Sequence, residues 1–402
     1  MKLARLLALV VAVGLAAVAV WIFTKPPEGT GQRPASGTAP AQGTAAVPTF
    51  EPEPGRSGAR PANGPAPAQG TSSPAGAPSA PLMPTALPDT GTPVPPGTEV
   101  AVHVPWKRGE RNRFRYEIED LTLARDRESG NTDPSWIVWR VLLEVVDGDG
   151  SGAARLRLTV ESLRIRGFQA NGLPFDVDSR IPDNGLLDDP NLARRVRPAI
   201  ALLNVPLEFR LDASGNVVDV DGEDEWRERF LTEVQRIQKG AVNDAPDAPT
   251  REGLIDLWSE FLFPRTGGGK LVAGTPRDWQ RRQPYVTSWA IVWKGKVDVT
   301  RDDPDAFRVD VRATPSAEPT GVAPTTDFAA GIVAMRASTL GDGYRAAYRF
   351  GRSPGALVEA QIDATYMFAT SRKAGGGPGQ PQYAPRYTEM LRRAIVRRTA
   401  EE

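Results

Sequence analysis

The 402-residue chain contains no cysteine and a single histidine. Without cysteine there is no disulfide, no thiolate ligand for zinc or an iron–sulfur cluster, and no thiol nucleophile. One histidine cannot assemble a His-based metal cluster, and it leaves His103 as the sole imidazole for general-base work. Net charge is missing as well, because 49 Lys plus Arg balance 49 Asp plus Glu. With no basic excess there is no overall field for nucleic acid, and no nucleic-acid partner is expected. About 41 of the cations are Arg, and with 39 Gly, 38 Pro and abundant Ala this fits a GC-rich coding sequence better than a dedicated anion site.

Lys2 and Arg5 precede an uncharged apolar run from Leu6 to Phe23. Eighteen residues at about 1.5 Å each make roughly 27 Å of helix, enough to cross a hydrocarbon core. The two cations belong on the cytoplasmic side, which places everything after Lys25 outside. Ala17-Val18-Ala19 offers a cleavage site, but Val20-Trp21-Ile22-Phe23 continues the apolar stretch beyond it and favours an uncleaved signal-anchor over residues 1–23. The expected location is therefore the cell membrane, single-pass, with the inner membrane held through residues 6–23 and the C-terminal part periplasmic. Residues 24–98 are rich in Pro, Gly, Ala, Thr and Ser and show no apolar periodicity. Such a segment cannot bury enough surface to offset its ordering entropy, so it reads as a disordered tether.

Strand patterning begins after Glu99. Phe114–Leu123 and Arg155–Ile165 alternate, the second until Ser162 shifts the phase. Asp147-Gly148-Asp149-Gly150 and Asp212-Ala213-Ser214-Gly215-Asn216 supply hairpin chemistry. Helices are expected over 191–203, over 223–239 with Trp226, Phe230, Val234 and Ile237 on one face, and over 251–263, ending at Pro264. Later strands include Val286–Trp293 and Lys296–Thr300, with a bulge or turn at Gly295. Phe209-Arg210-Leu211 through Val217-Val218-Asp219-Val220 matches Tyr348-Arg349-Phe350 through Leu357-Val358-Glu359-Ala360, which suggests a duplicated module. At the C-terminus, Tyr387, Met390, Leu391, Ala394 and Ile395 recur at helical spacing among Arg392, Arg393, Arg397 and Arg398. They predict a basic amphipathic helix over 386–400 that docks on the sheet; contact with a membrane or an anionic polymer is the alternative.

The expected fold is thus mainly β (α+β). Two similar antiparallel-sheet lobes, 99–245 and 250–402, carry a few flanking helices, and the second lobe ends in the basic helix.

Candidate chemistry is sparse. His103 sits where tether meets fold, with no G-x-S-x-G elbow in the chain. Thr266-Gly267-Gly268-Gly269-Lys270-Leu271 lacks the hydroxyl after Lys and the following helix that a phosphate loop requires. Asp219 to Glu225 with Glu228 approximates a calcium loop, but its first ligand position falls on Val217. Asp176, Asp178, Asp183, Asp188 and Asp189 form a second acidic stretch, read as solvated charge. Trp136, Trp139, Trp289 and Trp293 fall in expected strands, where cross-strand packing is the ordinary role and an aromatic ligand groove the sharper one.

Three elements together resemble a bacterial exported family defined only as a domain of unknown function. These are Trp106–Tyr116, Asp212–Val218, and Gly274-Thr275-Pro276-Arg277-Asp278-Trp279, so the resemblance spans roughly residues 100–370. The inserted Thr275-Pro276-Arg277 departs from the family's tighter Gly-Asp-x-Trp. The resemblance implies no activity and no catalytic residue. The expectation is a membrane-tethered extracytoplasmic binding or scaffolding protein of the cell envelope, with an envelope protein, lipid or polymer as partner. It is expected not to be an enzyme and to have no catalytic residue, metal or cofactor. The alternative is an envelope hydrolase using paired carboxylates.

Overall fold

The computed structural model describes residues 91–102, 104–106, 113–127, 129–169, 172–181, 187, 190–238, 251–263, 269–286, 289–319, 332–336, 343–352, 355–374 and 382–400. All of them belong to one compact unit. The anchor 1–23, the tether as far as residue 90 and His103 lie outside the described residues. Among the described residues, no helix is long and apolar enough to cross a membrane.

The first half supplies β1 (Glu99–Ala101), β2 (Arg113–Asp126), β3 (Thr132–Gly148), β4 (Ala154–Phe168), β5 (Pro174–Asp178), helix α1 (Pro190–Ile200), β6 (Pro206–Leu211), β7 (Val217–Asp221) and α2 (Glu223–Gln238). The second supplies α3 (Arg251–Phe261), β8 (Lys270–Val272), β9 (Arg277–Val286), β10 (Trp289–Asp302), β11 (Ala306–Pro319), β12 (Ile332–Arg336), β13 (Tyr344–Gly351), β14 (Leu357–Ala374) and β15 (Gln382–Thr399). Short β1 and β8 pair with each other, and the remaining strands form a thirteen-stranded antiparallel sheet. Its order is β7-β6-β4-β3-β2-β15-β14-β13-β11-β10-β9, with β5 on the end of β4 and β12 on β14. The fold is mainly β, as expected, and strands from the two halves join in this one sheet through β2 and β15.

One face of every long strand points inward. Phe114, Tyr116 and Ile118 of β2, Leu156 and Leu158 of β4, Val309 and Val311 of β11, and Ile362 and Tyr366 of β14 are all buried. The other face carries cross-strand ion pairs such as Arg157–Glu208 at 2.6 Å, Lys296–Asp278 at 2.6 Å and Arg397–Glu119 at 3.5 Å. The phase change at Ser162 is a β-bulge: Arg140 faces Ser162 while Val141 faces Val160.

Ten strand steps separate β7 from β9. At about 4.8 Å per step a flat sheet would hold them roughly 48 Å apart. Yet α3, only about 16 Å long, packs against both. The sheet must therefore curl around this helix. Trp258 of α3 meets Trp139 of β3 edge-on at 6.0 Å, and Phe263 just beyond the helix meets Phe209 of β6 at 5.5 Å.

Three expectations need correction. The C-terminal segment is strand β15, paired along its length with β14 and β2, and no helix covers 386–400. Flanking strands on both sides satisfy its backbone, and Arg392, Arg393 and Arg397 each find a carboxylate on a neighbouring strand or helix, so tertiary pairing overrides the helical spacing. Residues 91–98, assigned to the tether by composition, are tied to the fold: Val94 N donates to Thr300 O at 3.3 Å and Gly97 N to Ala273 O at 2.8 Å. Gly295 makes no turn, because β10 runs straight through it with Ala313 as its partner.

The reason for glycine at 295 is close approach, since a Cβ there would run into the Arg312 carbonyl and Ala313 of β11. Gly295→Ala should therefore lower the unfolding free energy by about 1–3 kcal/mol, measured by urea denaturation. An unchanged midpoint would show that β11 moves aside at no cost.

Candidate functional site: a buried charge cluster beneath α3

The inward alternation of β2 places Asp120 on the same face as Tyr116 and Ile118, so a carboxylate enters the core. The same parity on β15 brings in Arg392 between Met390 and Ala394, and on β9 it brings in Arg281 beside Trp279. Glu260 comes from the last turn of α3. All four are nearly inaccessible, at 2% for Asp120, 2% for Glu260, 6% for Arg281 and 7% for Arg392.

Arg392 bridges the two acids. Its Nε and Nη2 donate to Asp120 Oδ2 at 2.9 and 2.8 Å, and its Nη1 donates to Glu260 Oε2 at 2.5 Å. Glu260 Oε1 accepts from Arg281 Nη1, and Arg281 Nη2 donates to the Asp256 carbonyl at 3.3 Å. Two cations thus neutralise two anions in alternation. The guanidinium of Arg392 also lies 5.1 Å over the Phe261 ring. On the far side, Tyr348 donates to the Glu260 carbonyl at 3.3 Å and shares a 3.0 Å hydrogen bond with Tyr344. Trp279 stacks on Tyr344 at 5.1 Å, and Trp293 packs against Tyr344 and Tyr366.

The two acids respond differently to this environment. Burial pushes the Asp120 carboxyl up, and Arg392 offsets only part of that rise. Burial also acts on Glu260, but Arg281 and Arg392 outweigh it and hold the carboxyl below its ordinary value. Burial pushes the Tyr366 phenol up to about 12 and the Tyr344 phenol higher still. The arrangement positions elements: one helix carboxylate ties α3 to β9 and β15 and, through Arg392, to β2. Sequence reading missed this cluster, although Asp120 on a mainly apolar strand face and Glu260 among Leu257, Trp258, Phe261 and Leu262 were available signals.

The residues singled out by sequence serve other contacts. Asp219 pairs with Arg251 and Arg210, and Glu223 pairs with Arg251 at 3.1 Å, so this acidic run holds the start of α3. Asp176 pairs with Arg164 at 2.6 Å and Arg166 at 3.0 Å. The Arg180 guanidinium draws the Asp178 carboxyl down to about 2. Asp183, Asp188 and Asp189 fall outside the described residues. Lys270, of the glycine-rich stretch, pairs with Glu99 at 2.5 Å. Trp139 and Trp293 are buried, whereas Trp136 faces outward beneath Arg166, 4.1 Å from its ring centre. Among the described residues, no group of three or more acids or histidines is placed to hold a metal ion.

No protein-family model matches the chain, and no curated protein matches it significantly. Among solved structures, DynF from the dynemicin biosynthesis pathway of Micromonospora chersina is similar at 9% identity, over 78% of this chain and 91% of that one, with a TM-score of 0.16. OpdO of Pseudomonas aeruginosa is similar at 11% identity, over 72% of this chain and 98% of its own, with a TM-score of 0.17. OpdQ of the same organism is similar at 9% identity, over 72% and 99% of the two chains, again with a TM-score of 0.17. Likenesses at these TM-scores carry no argument about fold or function.

Proposed function

We propose that this is a membrane-tethered, periplasmic binding or scaffolding protein of the cell envelope that works without catalysis. The observation that supports this most is the occupied interior. The helix α3 fills the curl of the sheet, and the buried acids are engaged by arginines. A hydrolase using paired carboxylates needs open space for substrate between its two acids. Here Arg392 stands between Asp120 and Glu260, and the cavity beside Glu260 has room for about one water. Contacts with a partner then fall to the outer face and the sheet edges.

The two halves descend, in this reading, from a duplicated β-module. In β6–β7 the register slips between Arg210 and Leu211, and in β13–β14 it slips between Arg349 and Phe350, the matched positions of the repeat. Arg210 pairs with Asp219, and Arg349 pairs with its counterpart Glu359 at 3.7 Å.

Fractionation of cells making the full chain tests the proposal. The protein should sediment with membranes, keep its N-terminal residues, and crosslink to an envelope component in the periplasm. A mature N-terminus near Val20 would remove the anchor. Glycan- or peptide-hydrolysing activity that disappears in a folded Asp120→Asn protein would overturn the non-catalytic assignment.

A further inference from the structure

Three buried polar atoms near Glu260 make no hydrogen bond among the described residues: Ser259 Oγ on α3, and Trp279 Nε1 and Arg281 Nε on β9. Their residues are 4%, 6% and 6% exposed, and all three line one small cavity together with Glu260, Tyr344 and Tyr348. An unsatisfied buried donor costs about 1–3 kcal/mol, so three such atoms around one space call for a common partner.

We propose that this cavity is a binding site for a single internal water molecule that joins α3 to β9. The chemistry of the lining selects it. Arg281 Nε–H and Trp279 Nε1–H can only donate, and a water oxygen accepts two hydrogen bonds. Its own hydrogens then have Ser259 Oγ as an acceptor, and a buried water typically makes about three such bonds. A small anion would accept the same two donors. It would, however, sit beside the Glu260 carboxylate in a cluster whose charges already cancel, and would pay both desolvation and repulsion. The space has room for about one water. Water thus completes the seat of the helix on the sheet where the protein's own groups leave it unfinished.

Crystals of the full-length protein soaked in sodium bromide and measured at the bromine edge distinguish the occupants. The expected result is a light-atom peak about 2.7–3.2 Å from all three atoms with no anomalous signal. A bromide peak there, or a cavity without density, overturns the proposal. In solution, oxygen-17 relaxation dispersion should detect a long-lived water in the wild type. Ser259→Val, which removes the acceptor and fills the space, should lose one such water while near-ultraviolet circular dichroism stays native. An unchanged water count in that folded variant also counts against the site.

Discussion

Glu260→Gln should destabilise the protein by about 3–5 kcal/mol, whereas Asp120→Asn, in the same cluster, should cost about 1–3 kcal/mol. The difference follows from connectivity. Glu260 is the carboxylate shared by Arg281 and Arg392, so neutralising it leaves Arg281 buried without its ion-pair partner. Among the described residues Asp120 forms its ion pair with Arg392, and Arg392 keeps Glu260 when Asp120 is neutralised. Protonation states point the same way, because burial lifts the Asp120 carboxyl, while the arginines hold Glu260 below its usual value.

The signs predict opposite pH effects. The stabilisation from Glu260 is complete above its unfolded pKa, about 4.3, and is lost as pH falls through its lower folded value. Asp120, with its folded value above about 3.9, takes up a proton earlier in the folded state and gains stability as pH drops toward that unfolded value. Relative to wild type, Glu260→Gln should flatten the loss of stability below about pH 4, and Asp120→Asn should abolish the gain that accrues above about pH 4 as pH falls toward it. Urea denaturation of the three proteins from pH 3 to pH 7 reads both slopes. Equal costs for the two substitutions would show that Glu260 is not the shared partner.

Why the sheet was legible in sequence and the cluster was not is clear from individual strands. β2 and β4 alternate apolar and charged residues because one face is wet, and even the bulge at Ser162 shows as a broken phase. Hairpins announce themselves through Asp and Gly, as at Asp212–Asn216, where Asp212 accepts from the backbone N–H groups of Ser214 and Asn216. α2 was readable because Trp226 and Phe230 recur at helical spacing, and both are buried. β15 was not readable. Its inward face includes Arg392, whose charge is cancelled by Asp120 and Glu260, 272 and 132 residues away in the chain. Period-2 alternation fails whenever a core position holds a charge whose partner is remote, and the remaining apolar residues of 387–395 then fit a helical period by default. The curling of the sheet around α3 was equally hidden, since strand order across β2 and β15 is a long-range fact that local patterns do not encode.

That reassignment carries the second large effect. Ala394 is fully buried in β15, opposite Asp120 of β2 and Ile362 of β14. Proline at this position removes a backbone donor from a strand bonded on both sides, and its ring crowds the neighbouring strand, so Ala394→Pro should cost on the order of 4 kcal/mol or more. The strand lies at the join between the halves and also holds Arg392, so the ladder to β2 and the ion pairs to Asp120 and Glu260 would fail together. A docked terminal helix would respond differently: proline would fray its last turns and leave the sheet standing. Near-ultraviolet circular dichroism and the urea midpoint separate the cases. Loss of the tryptophan signal throughout the molecule, or a collapse of the midpoint, is the outcome for a central strand, and a native spectrum with an unchanged midpoint would return residues 386–400 to the periphery of the fold.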